Sequence, residues 1–195
     1  MIKMATRITA AIGFCVAASF AFAQGPAIGF SAVEGNLSVY LGQVQGHYAP
    51  NTDSLVFDQF SNAFGAMNVA TKVMVDGDTL LSAQSAQSLV TSNNNPLGAA
   101  VLLGSDKQVK GAALLHFACV ASKNASFKCN DAADPVLTIF ITSYKKDDAV
   151  VNAFVVSKFQ SWAMSTVGAS IKASGHLAAA SHLRIQVREV GPQST

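Results

Sequence analysis

The 195-residue chain is 50% hydrophobic and 12% charged, with 13 basic and 11 acidic residues. This balance argues against nucleic acid or an anionic membrane as a partner, because a nearly neutral surface has no long-range field to attract either. The apolar content also argues against intrinsic disorder and is sufficient for a buried core.

The N-terminus has the pattern of a secretory signal. Lys3 and Arg7 precede an uncharged apolar run, residues 8–22, and small residues, Ala21 and Ala23, occupy the two positions that signal peptidase reads. We therefore expect residues 1–23 to be a signal peptide and residues 24–195 to form a single exported domain. No later stretch has the roughly 20 apolar residues that a membrane helix needs, so we expect no membrane insertion after cleavage.

The first half of the mature chain predicts two strands and two helices. Residues 37–41 alternate in polarity and predict a strand, whereas residues 56–67 are apolar at three- and four-residue spacing and predict an amphipathic helix. Residues 69–75 are short and β-branched, and the Asp76-Gly77-Asp78 turn signal follows them. Residues 79–91, rich in Ala, Gln, Ser and Leu, predict a second helix.

The middle of the chain favours antiparallel strands. Residues 99–103 and 112–121 are apolar arms around a polar segment and predict a hairpin, with helix as an alternative for the first arm. The second arm runs through Cys119 and leads by a polar connection to a further predicted strand, residues 136–141.

A long helix is predicted next. Asp147 and Asp148 suit its first turn, where negative charge complements the helix dipole, and Gly168 is a plausible end. The spacing predicts a buried face made of large apolar side chains: Val151, Phe154, Val155, Phe159 and Trp162.

The chain ends in a predicted strand with one face exposed to solvent. Residues 183–188 place Leu183, Ile185 and Val187 on one side and charged or amide side chains on the other. Because strands and helices do not alternate regularly, we predict an α+β fold with a mainly antiparallel sheet, helices packed on one face and one disulfide.

The disulfide is predicted from cysteine usage. Cys15 is removed with the signal peptide, which leaves Cys119 and Cys129 as a pair in an oxidising compartment. Their spacing is far wider than that of a redox-active Cys-x-x-Cys motif. Free or metal-binding thiols are the alternative to a structural bridge.

Candidate catalytic residues are few. The hydrolase signature Gly-x-Ser-x-Gly does not occur, and Ser143 with Lys146 fits only the short Ser-x-x-Lys pattern, in which the lysine takes the hydroxyl proton. The competing interpretation is that Ser143 starts the long helix. His116 is a candidate base with a remote carboxylate or, more simply, a hydrogen-bonded core residue.

No metal or cofactor is expected from the sequence. The four histidines, His47, His116, His176 and His182, include no pair at the four-residue spacing that places two ligands on one helical face. Asp76 and Asp78 suit a weak calcium site but lack the ligand series of an EF-hand, so an ordinary turn is favoured.

Two surfaces are candidate binding sites. His182, Arg184 and Arg188 share a face of the last strand, where two arginines suit a carboxylate or phosphate. Lys123 and Lys128 lie in the loop that the disulfide holds, and a rigid loop lowers the ordering cost of binding. The competing interpretations are a solvated or internally paired strand face and a braced connection.

Taken together, these patterns favour an exported, non-enzymatic binding protein of the periplasm or extracellular space, whose partner is a protein or an envelope component. The alternatives are a small exported hydrolase, acting through Ser143 and Lys146 or through His116, and a structural subunit of an envelope assembly. An assembly subunit would associate through an exposed strand edge.

Overall fold

The computed structural model describes residues 28–50, 55–84, 96–121, 127–129, 134–142, 149–174 and 183–191. Its architecture confirms the predicted α+β class, the mainly antiparallel sheet and the single disulfide between Cys119 and Cys129. None of the helices in the described residues is both long and apolar enough to span a membrane. The predicted signal peptide, residues 1–23, lies outside the described residues.

A six-stranded sheet organises the described chain. It is built from β1 (Asn68–Val73), β2 (Thr79–Gln84), β3 (Gly98–Leu103), β4 (Val109–His116), β7 (Val136–Thr142) and β8 (Arg184–Val190), in that spatial order. The first five strands pair antiparallel, and β8 pairs parallel to β7. β5 (Cys119–Ala121) and β6 (Phe127–Cys129) form a separate two-stranded ribbon.

Helices cover both faces of the sheet. α1 (Glu34–Leu41), α2 (Val56–Ala66) and a short 3₁₀ turn (Phe30–Ala32) pack on one face, where Val101 and Leu114 are buried. α3 (Ala149–Ser174) packs on the other face, against Leu102 and Leu115. The predicted placement of helices on one face is therefore wrong: neighbouring residues of the central strands point to opposite faces, and both sets are apolar.

α1 replaces the strand predicted for residues 37–41. Leu37 and Leu41 are fully buried and Val39 between them is 85% exposed. Together with Val33 the buried residues recur every four positions, which is a helical stripe. The hydroxyl of Tyr40 then fastens α1 to the sheet, accepting from the backbone N–H of Thr142 at 3.1 Å.

β2 replaces the helix predicted for residues 79–91, as far as Gln84; residues 85–95 lie outside the described part. Leu81 faces α1 and α2 while Leu80 faces α3, so both sides of this strand are buried. A strand buried on both sides shows no alternation in its sequence. Pairing with β3 on one side and β1 on the other overrides the helical preference of its Ala, Gln and Leu residues.

Other predicted elements are confirmed: α2, β1, the β3–β4 hairpin and β7. The long helix α3 is also confirmed, but it continues past Gly168 to Ser174. Its buried face contains Val155, Phe159 and Trp162, whereas Val151 and Phe154 are 49% and 58% exposed, contrary to prediction. Gly111 allows this packing, because a Cβ at that position would lie 2.9 Å from the ring of Phe159.

The last strand, β8, is confirmed as a strand, but the prediction of one face exposed to solvent is wrong. Ile185 and Val187 are 38% and 48% exposed, and Val190 is the buried residue of β8. The reason is position: β8 is an edge strand, and α3 packs over β3, β4 and β7.

Candidate functional site

A groove runs along the flank of α3, where the helical layer ends but the sheet continues. α3 packs over β3, β4 and β7, so the α3-facing side of β1 and part of β2 extends beyond the helix. The step encloses about 600 Å³ and is open to solvent. Ligand pockets in proteins have roughly 300–1,000 Å³, so this space suits a small ligand or a few side chains of a partner. We call it the α3 groove.

The lining of the α3 groove comes from two sides. The β1–β2 hairpin contributes Lys72, Met74, Val75, Asp76 and Leu80. The helix contributes Phe154, Ser157, Lys158, Ser161, Trp162 and Ser165. The three serines are spaced by four residues along α3, so they form a polar seam next to the buried stripe. The groove thus combines apolar surface with hydroxyl groups along one wall.

Two aromatic residues give the groove its apolar character. Trp162 is 7% exposed and packs against Gly98, where a Cβ would lie 3.2 Å from its ring. Its indole Nε1 is buried and has no hydrogen-bond partner among the described residues. Phe154, two turns earlier, is 58% exposed. Both rings line the α3 groove, so the groove offers one exposed and one largely buried aromatic side chain.

An ion network adjoins the groove, and two of its residues, Asp76 and Lys158, line it. Asp78 accepts from Lys110 Nζ at 2.8 Å on one carboxylate oxygen and from Lys158 Nζ at 2.7 Å on the other. Lys158 also donates to Asp76. The predicted Asp76-Gly77-Asp78 turn is confirmed, with Gly77 at a φ of +83°. Because lysine ammonium groups already occupy both carboxylates, the arrangement favours a turn over a calcium site.

The protonation of this network follows from its contacts. Burial by itself raises the pKa of Asp78, but the hydrogen bonds and charges of Lys110 and Lys158 outweigh it and hold the pKa below 3.8. The hydrogen bond from Lys158 likewise lowers the pKa of Asp76. Burial opposes the charge of Lys158, yet the two carboxylates raise its pKa above 10.5. All three groups are ionised at neutral pH.

Lys72 differs from the lysines of this network. It lies on β1, is exposed and lines the α3 groove. Among the residues that the structure describes, it forms no salt bridge, whereas Lys110 and Lys158 do. The groove therefore carries one cation whose charge is not neutralised by the network.

His116 is a core residue in this structure. Its ring lies 2.7 Å by Nδ1 from the carbonyl oxygen of Phe117 and 2.9 Å by Nε2 from Thr138 Oγ1. A carbonyl only accepts, so Nδ1 carries the proton and Nε2 accepts from the Thr138 hydroxyl. Burial lowers the pKa of His116 to about 4. The His116 side chain is 5% exposed and both of its ring nitrogens are hydrogen-bonded. These features favour a core residue over an accessible base.

The predicted arginine face is only partly brought together. Arg188 donates to the hydroxyl of Tyr48 and, at 3.0 Å, to the carbonyl oxygen of Gln45. It thereby holds the connection between α1 and α2 against the sheet. Arg184 is exposed on the same strand, and His182 lies outside the described residues. A role of this face in gripping an external anion stays a prediction.

The disulfide joins β5 to β6. Cys119 lies directly opposite Cys129 in the ribbon, and Val120 beside it is 66% exposed. Lys123 lies outside the described residues, and Lys128 is placed only by its backbone in β6. The rigid-loop hypothesis for these lysines therefore stays a prediction.

The remaining candidates are the Ser-x-x-Lys pair and the residues suited to a metal ion. Ser143, Lys146 and His176 lie outside the described residues. Within the described ranges, no three His, Cys, Asp or Glu side chains are grouped so that they could hold a metal ion.

The sequence patterns missed the α3 groove altogether. One signal was available: Ser157, Ser161 and Ser165 recur every four residues in an otherwise apolar helix. Comparisons with protein-family models, with curated protein sequences and with solved structures give no match to this chain.

Proposed function

We propose that this chain is an exported, non-enzymatic binding protein of a periplasm or the extracellular space, and that it binds its partner, a protein or an envelope component, in the α3 groove. The observation that carries the proposal is the exposed ring of Phe154 beside buried Trp162 in an open groove of about 600 Å³. Covering such a surface removes apolar area from water, which is the main driving force of association.

The groove chemistry supports binding better than catalysis. The ionisable groups of the adjoining ion network, the carboxylates of Asp76 and Asp78 and the ammonium groups of two lysines, Lys110 and Lys158, neutralise one another. A general acid or base needs a pKa near the working pH. The contacts move the pKa values of Asp76, Asp78 and Lys158 in the opposite direction, away from neutrality.

The groove offers a direct binding assay because Trp162 is the only tryptophan of the chain. We expect the anionic dye anilinonaphthalene sulfonate to bind saturably to the disulfide-intact mature protein, with energy transfer from Trp162. Phe154→Ser should weaken binding roughly five- to tenfold, since an aromatic contact contributes about 1 kcal/mol beyond its area. The matched control is Val39→Ser, which removes an 85% exposed side chain on the opposite face of the sheet.

Two results would contradict the groove assignment: no saturable dye binding, or equal weakening by the Phe154 and Val39 substitutions.

Export is tested separately. The chain expressed with residues 1–23 in a bacterial host should appear in the periplasmic fraction with Gln24 as its first residue, as N-terminal sequencing reports. Retention of the full-length chain in the cytoplasm would contradict it.

A further inference from the structure

We propose that the partner presents an extended polypeptide segment with an acidic side chain, and that this segment pairs with the free edge of β1 as an additional strand. The proposal rests on the α3 groove being the binding site. It names the conformation, the charge and the mode of attachment of the occupant.

The free edge of β1 is the first observation. β1 pairs with β2 from Asn68↔Gln84 to Val73↔Thr79, and in the described part of the chain no strand lies on its other side. Along an antiparallel strand, alternate residues direct their backbone N–H and C=O groups to opposite edges. The outer edge therefore presents donors and acceptors in the spacing that an extended backbone matches.

The exposure of β1 is the second observation. Its burial pattern is exposed at each position except Thr71, which is intermediate. Val69 and Val73, 44% and 56% exposed, lie on the side of the sheet that faces α1 and α2. On that side the Thr71 hydroxyl donates to the carbonyl oxygen of Ile28 at 3.3 Å, which leaves the backbone groups of the outer edge without a partner strand in the described part of the chain. Proteins protect sheet edges with charges, prolines, bulges or covering segments. β1 has a single charged side chain, Lys72, and contains no proline. An exposed edge of six residues can accept an additional strand.

The position of the groove is the third observation. Lys72 pairs with Leu80 in the β1–β2 register, and both line the α3 groove. A strand added about 4.8 Å beyond β1 would continue this face of the sheet. Every second side chain of the added strand would then lie on the side of α3, where it forms the outer wall of the groove opposite Phe154. Backbone pairing and apolar burial thus reinforce each other.

Charge complementarity fixes the preferred sequence. The carboxylates of Asp76 and Asp78 are already bound by lysines, whereas Lys72 has no salt bridge among the described residues. The rim of the groove therefore favours an acidic side chain on the added strand. A lipid chain or a small aromatic acid could use Lys72 and Phe154, but neither would use the backbone groups of β1.

The test uses the full mature chain with its disulfide and a synthetic probe peptide of alternating valine and threonine with one central glutamate. We expect the peptide to displace the dye from wild-type protein. Two analogues, N-methylated at alternate backbone nitrogens in either register, are the matched controls. The analogue that blocks the pairing edge should bind at least about tenfold more weakly, because it removes several ladder hydrogen bonds.

A charge-reversed variant tests the role of Lys72. Lys72→Glu should weaken the glutamate peptide by about three- to fivefold and should favour a peptide with lysine in the same position, as expected for an exposed ion pair. Unequal binding of the two N-methylated analogues together with this reversal supports strand addition.

Other outcomes overturn the proposal of strand addition to β1. If both analogues displace the dye as well as the parent peptide, or if no peptide displaces a dye that does bind, strand addition is wrong while the groove remains a binding site. A concentration-dependent dimer that Lys72→Glu dissociates would assign the edge to a second copy and overturn the proposal. Failure of the dye itself to bind would contradict the proposed function.

Discussion

Lys158 on α3 and Asp78 at the start of β2 form an ion pair of 2.7 Å between residues 80 positions apart in the chain. Both side chains are largely buried, at 11% and 6% exposure. The pair joins the long helix to the β1–β2 hairpin, and the second oxygen of Asp78 extends the connection to Lys110 on β4. One carboxylate therefore connects the β1–β2 hairpin, β4 and α3 next to the α3 groove.

Asp78→Asn should destabilise the fold by about 3 kcal/mol, because it removes the buried carboxylate that Lys158 and Lys110 share and leaves buried Lys158 with only the more exposed Asp76 as its partner. Lys110→Met is the matched comparison. Lys110 is 45% exposed, so its loss should cost about 1 kcal/mol or less. Urea unfolding of the disulfide-intact variants measures both. An equal cost for the two substitutions would contradict the central position given to Asp78.

The stability of the protein should depend on His116 between pH 4 and 6.5. Burial lowers the pKa of the folded state to about 4 from 6.5, so the unfolded chain binds a proton in this range and the folded chain does not. The resulting stabilisation is fully present above pH 6.5 and is lost as pH falls towards 4. Over the whole range the loss should amount to roughly 3 kcal/mol.

The measurement is urea unfolding at several pH values from about 4.5 to 7.5. His116→Gln should lower stability at neutral pH, since Thr138 loses its acceptor in the native geometry, and should flatten the dependence on pH. In this range Asp76 and Asp78 stay ionised, because their pKa values lie below 3.8. An unchanged slope in the variant would show that another group causes the dependence.

The sequence predicted the elements whose pattern is decided locally. α2 carries a one-sided stripe, with Val56, Phe60 and Phe64 buried, and the β3–β4 hairpin has a polar turn between two apolar arms. β2 was missed because its neighbours on both faces, and not its own residues, decide its conformation. α1 was missed because the apolar residues at positions 37, 39 and 41 fit the two-residue period of a strand, while Leu37 and Leu41 alone also fit the four-residue spacing of a helix.

The candidate site depends on a relationship that no local pattern contains. Phe154 and Trp162 were both predicted for the buried face of α3, and only Trp162 is buried there. The difference arises from the position of the helix over β3, β4 and β7, which leaves the side of Phe154 facing the step above β1. Helical spacing predicts which residues of α3 form the apolar stripe, but it does not predict which strands of the sheet the stripe packs on.

The disulfide should stabilise the fold modestly. Cys119 and Cys129 are 10 residues apart, and closing a loop of this length contributes roughly 2.5–3 kcal/mol in the chain-entropy model. The double variant Cys119→Ser/Cys129→Ser should lose that amount in urea unfolding. Reduction of the wild type with dithiothreitol should give the same loss, and it should leave the double variant unaffected. A much larger loss would mean that the ribbon β5–β6 supports the main sheet.

Trp162→Ala tests how α3 is held on the sheet. Trp162 is 7% exposed, packs against Gly98 and belongs, like Phe159, to the core between α3 and the sheet. Truncation should cost about 3–5 kcal/mol, because it removes a large apolar side chain from the core between helix and sheet. Since the only tryptophan is removed, far-ultraviolet circular dichroism should follow the unfolding.

Phe154→Ala is the control for Trp162→Ala, because it also removes an aromatic ring from α3. Phe154 is 58% exposed and its ring contacts the ammonium group of Lys158, with 5.1 Å between Nζ and the ring centroid. Its loss should cost about 1 kcal/mol or less, the contribution of an exposed cation–π contact. Similar costs for the two variants would place Phe154 in the core. That result would also remove the exposed aromatic surface on which the binding proposal depends.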